Sequence, residues 1–276
     1  MAEKIEYKNV ILMIDGAAAT VQFNRPHKKN AMSPDLHRDM AKAFDEIEKQ
    51  GGNKVIVLTG AGDSWCGGMD LEKFFFETKS DPKKWVEAHK AADSWFRRIK
   101  PSPSIVLASI NGWCFGAAIA LVGICDLAIA AEDAIFGLSE VNFGMMPGGG
   151  TTWSVAHNFN RKQGLYYSLT GETFTGKQAA EMGLVSHAYP REKLADETDR
   201  IVKNLVNKNG LTLATIKEAY EKVVYMDNMT AVDYEGAKLH ELSYLSGDAW
   251  VKGGLTQFKD RKYKPGLEAY HIEKGD

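Results

Sequence analysis

The chain has 276 residues and a formal net charge of −2 at pH 7, which excludes the strong basic field of a general nucleic-acid-binding protein. With 44% hydrophobic and 25% charged residues, its composition is that of a globular protein with a substantial core. The longest apolar run, Ala117–Ile124, is too short to span a bilayer. Cys66, Cys114 and Cys125 form no C-x-x-C pair, which favours neither a disulfide framework nor a zinc site. We therefore expect a cytoplasmic protein without metal, membrane or nucleic-acid partners.

The N-terminal part of the sequence shows strand patterns followed by an amphipathic helix. Val10–Asp15 and residues 18–24 are predicted strands on either side of a turn at Gly16. Ser33 is the expected N-cap of a helix that has Pro34 in its first turn. One face of this helix repeats apolar residues at helical spacing, namely Leu36, Met40, Ala43, Phe44 and Ile47.

The alternation of strands and helices continues through the middle of the chain. Short apolar runs predict strands at residues 54–59, 104–110 and 126–130. Helical spacing predicts helices at Pro82–Ile99, 116–122 and 152–169, the last broken near Asn158. The pattern is almost entirely helical from Arg191 onward. Repeated strand–helix units predict an α/β fold, with a core at 1–194 and a helical region at 195–276 that covers the site or pairs with another subunit.

Three glycine-rich segments, at residues 60–71, 111–118 and 143–152, are candidates for ligand contact. Glycine and alanine let backbone N–H groups approach a ligand closely, although each segment alone also fits a tight turn or a packing point. The first two follow apolar strands, and the second opens a helix whose N-terminus adds positive potential. One N–H from each loop could converge on a single oxygen and stabilise a thioester enolate.

The motifs, in this order, resemble those of the crotonase superfamily from about residue 7 to residue 260. The resemblance is carried by N-R-P at 24–26, N-A-M at 30–32, the first two glycine-rich segments, and the runs at 136–150 and 174–185. The runs at 30–34, 112–116, 137–142 and 264–270 look most like those of hydroxycinnamoyl-CoA hydratase-lyases. Those enzymes hydrate feruloyl- or coumaroyl-CoA and cleave the product by a retro-aldol reaction to an aromatic aldehyde and acetyl-CoA.

This resemblance implies a crotonase-like ββα spiral core with a C-terminal helical region, assembled as a trimer or a dimer of trimers. It implies an acyl-CoA substrate and no cofactor beyond the CoA of that substrate. The oxyanion donors would be the backbone N–H groups of Met69 and Ala117, and Glu140 would be the catalytic acid/base. The implied substrate-binding residues are Lys28, Lys29, Ala31, Gly67, Gly68, Leu71, Phe74, Gly116 and Tyr234.

Several of these residues also have a plain structural interpretation. Glu140 could be an exposed helix cap, but its apolar neighbours are expected to desolvate the carboxyl and raise its pKa. Lys28 and Lys29 could equally be solvated, and residues 74–76 could line an acyl pocket or belong to the core. Asp70 and Asp126 are expected to hold loops by accepting backbone N–H groups rather than to carry out chemistry.

Two departures from the family pattern leave the reaction open. Two-carboxylate hydratases carry a second Glu at the position of Ala120, so a single-carboxylate hydratase-lyase, isomerase or decarboxylase fits better. The two tyrosines that hold the phenol oxygen in hydratase-lyases would fall at Phe74 and near Gly236, with Tyr234 close by. The leading hypothesis is an aryl-propenoyl-CoA hydratase-lyase, and the alternative is a single-Glu enoyl-CoA hydratase or isomerase. A non-enzymatic scaffold that binds a partner or RNA is disfavoured by the near-neutral charge and the intact glycines.

Overall fold

The computed structural model describes residues 3–264, 266 and 269–271. Its strands are β1 Glu3–Glu6, β2 Val10–Asp15, β3 Ala18–Phe23, β4 Val55–Gly60, β5 Ser64–Cys66, β6 Ile105–Ile110, β7 Trp113–Phe115, β8 Leu127–Ala131, β9 Ile135–Gly137, β10 Thr173–Thr175 and β11 His187–Tyr189. Its α-helices are α1 Pro34–Gln50, α2 Pro82–Ile99, α3 Ala117–Ile124, α4 Thr151–Asn158, α5 Arg161–Thr170, α6 Gly176–Met182, α7 Leu194–Val206, α8 Gly210–Val223, α9 Asn228–Leu245 and α10 Thr256–Lys259. Shorter helical turns include a π-helix at Leu71–Phe76 and a 3₁₀ helix at Ser139–Phe143.

The chain winds between two sheets. The larger sheet has the order β1-β2-β3-β4-β6-β8-β11 and the smaller one the order β10-β9-β7-β5. In three successive repeats, a strand of the larger sheet is followed by a strand of the smaller sheet. The strands β4, β6 and β8 lie in the larger sheet, and β5, β7 and β9, which follow them in the chain, lie in the smaller one. The pairs β5–β7 and β7–β9 are parallel, so their carboxyl ends meet at one edge. This arrangement is the predicted α/β ββα spiral.

Most predicted elements are present, and the differences have local causes. The predicted inward face of α1 is buried throughout, and Ser33 caps it by accepting a hydrogen bond from Leu36 N at 3.2 Å. The predicted helix at 152–169 is two helices, α4 and α5, separated near Asn158 as expected. The strands β5, β7 and β9 were not predicted, because three residues are too few to show a period.

The helices after residue 194 contact the spiral through polar as well as apolar groups. Thr198 on α7 shares a hydrogen bond of 2.8 Å with Ser109 on β6. The division of the chain at residue 194 into a core and a C-terminal helical region stays a prediction. Part of the closing 264–270 run, namely Pro265, Leu267 and Glu268, lies outside the described residues, as do 272–276. Within the described part of the chain, no helix is both long and apolar enough to cross a membrane.

Candidate active site

A cavity of about 560 Å³ opens where β5, β7 and β9 end. Each of these three parallel strands leads directly into one of the sequence-predicted loops. The cavity brings together nine of the predicted site residues: Lys29, Gly67, Gly68, Met69, Leu71, Phe74, Gly116, Ala117 and Glu140. Residues as far apart in sequence as Lys29 and Glu140 therefore share one site, because neighbouring parallel strands end at the same edge.

The backbone N–H of Met69 is left free by the pairing of its neighbours. Met32 N donates to Gly68 O at 2.7 Å, and Asp70 N donates to Met32 O at 3.0 Å. Since successive peptide groups of an extended segment point to opposite sides, the N–H of Met69 points away from Met32. No hydrogen bond recorded between described residues uses the N–H of Met69 or of Ala117.

The two loops that carry these N–H groups are in close contact. Gly68 has φ +87°, and a Cβ built on it would lie 2.6 Å from Phe115 O and 3.6 Å from Ala117 N. Only glycine allows this approach, both by its conformation and by its size. Ala117 is the first residue of α3, so its N–H also lies at the positive end of that helix. Two unpaired donors beside a helix N-terminus are suited to stabilising a developing oxyanion.

The carboxyl group of Glu140 lies next to this pair of donors. A Cβ built on Gly116 would be 3.2 Å from Glu140 Oε1, so the carboxyl packs against the residue that precedes α3. Glu140 Oε2 is buried and has no hydrogen-bond partner among the described residues. Burial raises the pKa of Glu140 above its usual range, which favours the protonated form and its use as a proton donor.

A polar network next to the cavity holds the loop that carries Met69. Asp70 Oδ1 accepts a hydrogen bond from Lys73 N at 3.1 Å, and Asp70 Oδ2 pairs with Arg25 at 3.0 Å. Asn30 Nδ2 donates to Ala61 O at 2.9 Å and to Ser64 O at 2.7 Å. The loop-holding role predicted for Asp70 is confirmed. The positioning role of Arg25 and Asn30 was not predicted, because it depends on contacts with residues more than 30 positions away.

The far wall of the cavity is aromatic. Phe74 is fully buried there, with Phe75 at 5.3 Å between ring centroids and His89 at 4.9 Å. Trp85 and Phe96 extend the wall along α2. The helical spacing of Pro82–Ile99 predicted α2 itself, but it gave no signal that Trp85, His89 and Phe96 face a cavity.

Three predicted site residues do not line the cavity. Ala31 lies behind Gly67, since a Cβ on that glycine would be 3.9 Å from Ala31 Cβ. Lys28 is exposed with its Nζ 3.5 Å from Glu72. Tyr234 lies on α9, where its hydroxyl is 3.5 Å from Glu218 on α8, so within this chain it does not reach the cavity.

No group of three or more His, Cys, Asp or Glu side chains that could hold a metal occurs in the described part of the chain. Of the charged groups that line the cavity, Lys29 is already engaged, because its Nζ lies 2.6 Å from Asp63 Oδ2 and 5.6 Å from the ring centroid of Trp113. The site therefore offers one buried carboxyl, two backbone donors and an aromatic wall.

Comparison with known proteins agrees with this geometry. Residues 14–266 match the enoyl-CoA hydratase/isomerase family. A hydroxycinnamoyl-CoA hydratase-lyase from Pseudomonas fluorescens is 38% identical, over 96% of this chain and 97% of that protein. A 1,2-epoxyphenylacetyl-CoA isomerase from Escherichia coli (strain K12) is 26% identical, over 82% and 87%.

Solved structures give the same result for the fold. The crystal structure of an enoyl-CoA hydratase subunit I from Geobacillus kaustophilus HTA426 matches with a TM-score of 0.82 at 28% sequence identity. The match covers 96% of this chain and 99% of that one. Together with the family match over most of the sequence, this similarity identifies the chain as an enzyme of the enoyl-CoA hydratase/isomerase family, within the crotonase superfamily.

Proposed function

We propose that this enzyme hydrates an aryl-propenoyl-CoA thioester of the feruloyl or coumaroyl type and cleaves the product to an aromatic aldehyde and acetyl-CoA. The observation that carries the proposal is a single buried carboxyl, Glu140, facing two free backbone donors in a cavity with an aromatic wall. The 38% identity to a hydroxycinnamoyl-CoA hydratase-lyase over nearly the whole chain supports it.

In the first step, water adds across the double bond. The Glu140 carboxylate takes a proton from the water as the water oxygen bonds to the β-carbon, and it then gives this proton to the α-carbon, so that Glu140 is a carboxylate again at the end of the step. Negative charge that develops on the thioester oxygen is stabilised by the N–H groups of Met69 and Ala117. Ala120 stands where a second carboxylate would be, so one group must both donate and accept.

In the second step, the bond between the α- and β-carbons breaks. Glu140 accepts the proton of the β-hydroxyl, the aldehyde C=O forms, and the electron pair of the broken bond moves into the thioester enolate. The enolate is held by the same two N–H groups until its α-carbon receives a proton from Glu140. Protons balance in both steps, and no cofactor is needed beyond the CoA of the substrate.

The CoA portion would extend from the oxyanion loops over the residues that flank them. Gly67, Gly68, Leu71 and Lys29 line the cavity at this end, and we propose that they contact the pantetheine and the phosphates together with Lys28 and Ala31. Gly116 would contact the thioester itself. The Lys29–Asp63 pair would exchange for a phosphate contact at little cost, because the two side chains are 48% and 67% exposed and such a pair is weak in water.

The test is incubation of the enzyme with feruloyl-CoA and mass detection of the products. Vanillin and acetyl-CoA in equal amounts are expected. Accumulation of the β-hydroxy thioester alone would show that the cleavage step is wrong and that the enzyme is a hydratase. A Glu140→Gln variant with full activity would contradict the role of the carboxyl.

The alternative is a single-Glu enoyl-CoA hydratase or isomerase that acts on another acyl-CoA. It is favoured by Phe74, where hydratase-lyases are expected to carry a phenol-binding tyrosine, and by the 26% identity to an acyl-CoA isomerase. Faster turnover of crotonyl-CoA than of any aryl thioester would support this alternative.

A further inference from the structure

One helical face of α2 places the imidazole of His89 in the aromatic wall of the cavity. Trp85, His89 and Phe96 all line the cavity from this helix. The His89 ring lies 4.3 Å from the Trp85 ring and 4.9 Å from the Phe74 ring between centroids. An imidazole among these rings is placed where an aryl group of the substrate would stack.

The hydrogen bond on the other side of the ring determines what His89 can bind. His89 Nδ1 lies 2.8 Å from the carbonyl oxygen of Trp85, one helical turn earlier. A carbonyl oxygen only accepts, so Nδ1 carries the proton. In the neutral imidazole Nε2 is then an acceptor, and no hydrogen bond recorded between described residues uses it. The ligand group that fits Nε2 is therefore a donor, such as a hydroxyl.

The other groups of this wall do not offer the same chemistry. Phe74 and Phe75 have no polar atoms, and the Trp85 indole can only donate. Asp93, one turn after His89, also lines the cavity, but its Oδ2 is 2.9 Å from Arg97 in an ion pair. Both side chains of this ion pair are more than half exposed, so the pair is weak and Asp93 is a second acceptor that the test must separate from His89. Imidazole Nε2 is the acceptor whose ring packs directly against the rings of Phe74 and Trp85.

We propose that His89 Nε2 accepts a hydrogen bond from a hydroxyl group on the aryl ring of the substrate, which makes His89 a specificity-determining residue of the acyl pocket. The proposal rests on the proposed function, because it assumes that an aryl group occupies the cavity. A hydrogen bond to Nε2 would distinguish a hydroxyl group on the ring, which can donate, from a methoxy group at the same position, which cannot.

Equilibrium binding tests this without turnover. In a Glu140→Gln background, the affinity for 4-hydroxycinnamoyl-CoA, 4-methoxycinnamoyl-CoA and cinnamoyl-CoA is measured by calorimetry. The hydroxy thioester is expected to bind up to about tenfold more tightly than the methoxy thioester, the upper end of the net contribution of one hydrogen bond. Adding His89→Phe should abolish this preference and leave the affinity for cinnamoyl-CoA within about twofold.

Three further variants complete the design. His89→Gln keeps an acceptor and should retain part of the preference, and it also serves if the Phe variant folds poorly. Asp93→Asn removes the charge of the second acceptor and should leave the preference intact, since the ring of His89, not Asp93, packs against Phe74 and Trp85. Lys90→Ala, on the same helix but not on the cavity wall, is the matched control.

The outcomes separate the two proposals. Equal binding of the hydroxy and methoxy thioesters, or a preference that survives in His89→Phe, would overturn the role of His89, as would a preference lost only in Asp93→Asn. Failure of the wild-type enzyme to convert any aryl thioester would instead overturn the proposed function. The binding preference is measured in the Glu140→Gln background, so it does not depend on whether the wild-type enzyme converts an aryl thioester.

Discussion

Burial of the Glu140 carboxyl raises its pKa, which suits proton transfer, but the same burial costs stability. Its Oε2 is buried without a hydrogen-bond partner among the described residues, and its Oε1 packs against Gly116. Such a group costs stability when it ionises. Active sites commonly retain such costs because the raised pKa serves proton transfer.

Replacement of Glu140 by Gln should remove the proton donor and keep the shape of the side chain. We expect kcat to fall by about 10²–10⁴-fold, the usual contribution of a positioned acid/base. The affinity for the thioester should change little, because the oxyanion donors and the aromatic wall remain. Steady-state kinetics and calorimetry check this together, and a large loss of affinity with unchanged kcat would contradict it.

The same variant should show a pH-dependent gain in stability. The pKa of Glu140 is raised in the folded state by burial, so its contribution is fully favourable below the usual carboxyl pKa and is lost as pH rises through the raised value. Gln cannot ionise. The Tm of Glu140→Gln minus that of the wild type should therefore increase between about pH 4 and about pH 8. A difference that stays constant over this range would contradict the raised pKa.

The approach of the two oxyanion loops depends on Gly68. An alanine there would place its Cβ 2.6 Å from Phe115 O, which would force apart the loops that carry Met69 and Ala117. Gly68→Ala should lower kcat/KM by about 100-fold or more. Gly16→Ala is the control, because Gly16 also has a positive φ, +58°, but a Cβ there meets nothing within 4 Å. Equal activity losses in both variants would indicate general strain rather than loss of the oxyanion site.

At the scale of elements, one buried ion pair joins α8 to the spiral. Lys217 Nζ lies 2.7 Å from Asp126 Oδ2 and also donates to Ile99 O at 3.0 Å and Ser104 O at 3.1 Å. Asp126 Oδ2 accepts from Val106 N at 2.7 Å, as the sequence predicted for this residue. Burial raises the pKa of Asp126 despite the nearby lysine, so the aspartate depends on its partners.

Removal of one partner should therefore be costly. Lys217→Met is expected to lower the free energy of unfolding by about 3–5 kcal/mol, because it leaves a buried carboxylate without its cation. The double variant with Asp126→Asn should recover part of this loss. Lys222→Met, on the exposed side of α8, should change little. Chemical denaturation measures the free energy of unfolding of all three variants. A loss in Lys217→Met that is no larger than the loss in Lys222→Met would contradict the coupling between Lys217 and Asp126.

The elements that are long enough to show a period were predictable, and those that build the site were not. The inward face of α1, from Leu36 to Ile47, repeats over several turns and is buried as predicted. In contrast, β5, β7 and β9 have three residues each, and their shared edge arises only from pairing between distant segments. The glycines that follow them were recognised from sequence, because positive φ is a local property.

At the scale of the whole molecule, α8 and α9 leave apolar side chains exposed in the single chain. Large side chains on these helices are exposed at Ile216, Tyr220, Met229, Val232, Leu239 and Tyr244. Such a surface usually marks an interface. We propose that residues 195–276 form the predicted helical region and mediate assembly into a trimer or a dimer of trimers.

Light scattering after size exclusion should then give three or six times the 30.5 kDa of one chain. Val232 and Leu239 are seven residues apart and share a face of α9. Replacing both by Asp should shift the mass toward that of a monomer, whereas Ala237→Asp, at an exposed position on the other side of α9, should not. A monomeric wild type would contradict the proposal, and a trimer in the double variant would place the interface elsewhere.

By itself, the sequence predicted the family, the two segments proposed to form the oxyanion site and the carboxyl at Glu140, since ordered motifs and glycine-rich segments are local features. Only the tertiary structure decided which groups meet. Met32 pairs with both neighbours of Met69 and leaves its N–H free, and the Trp85 carbonyl orients His89 in the aromatic wall. Tyr234, predicted near the substrate, lies on α9 beside Glu218. These outcomes depend on contacts across the fold, which no local pattern encodes.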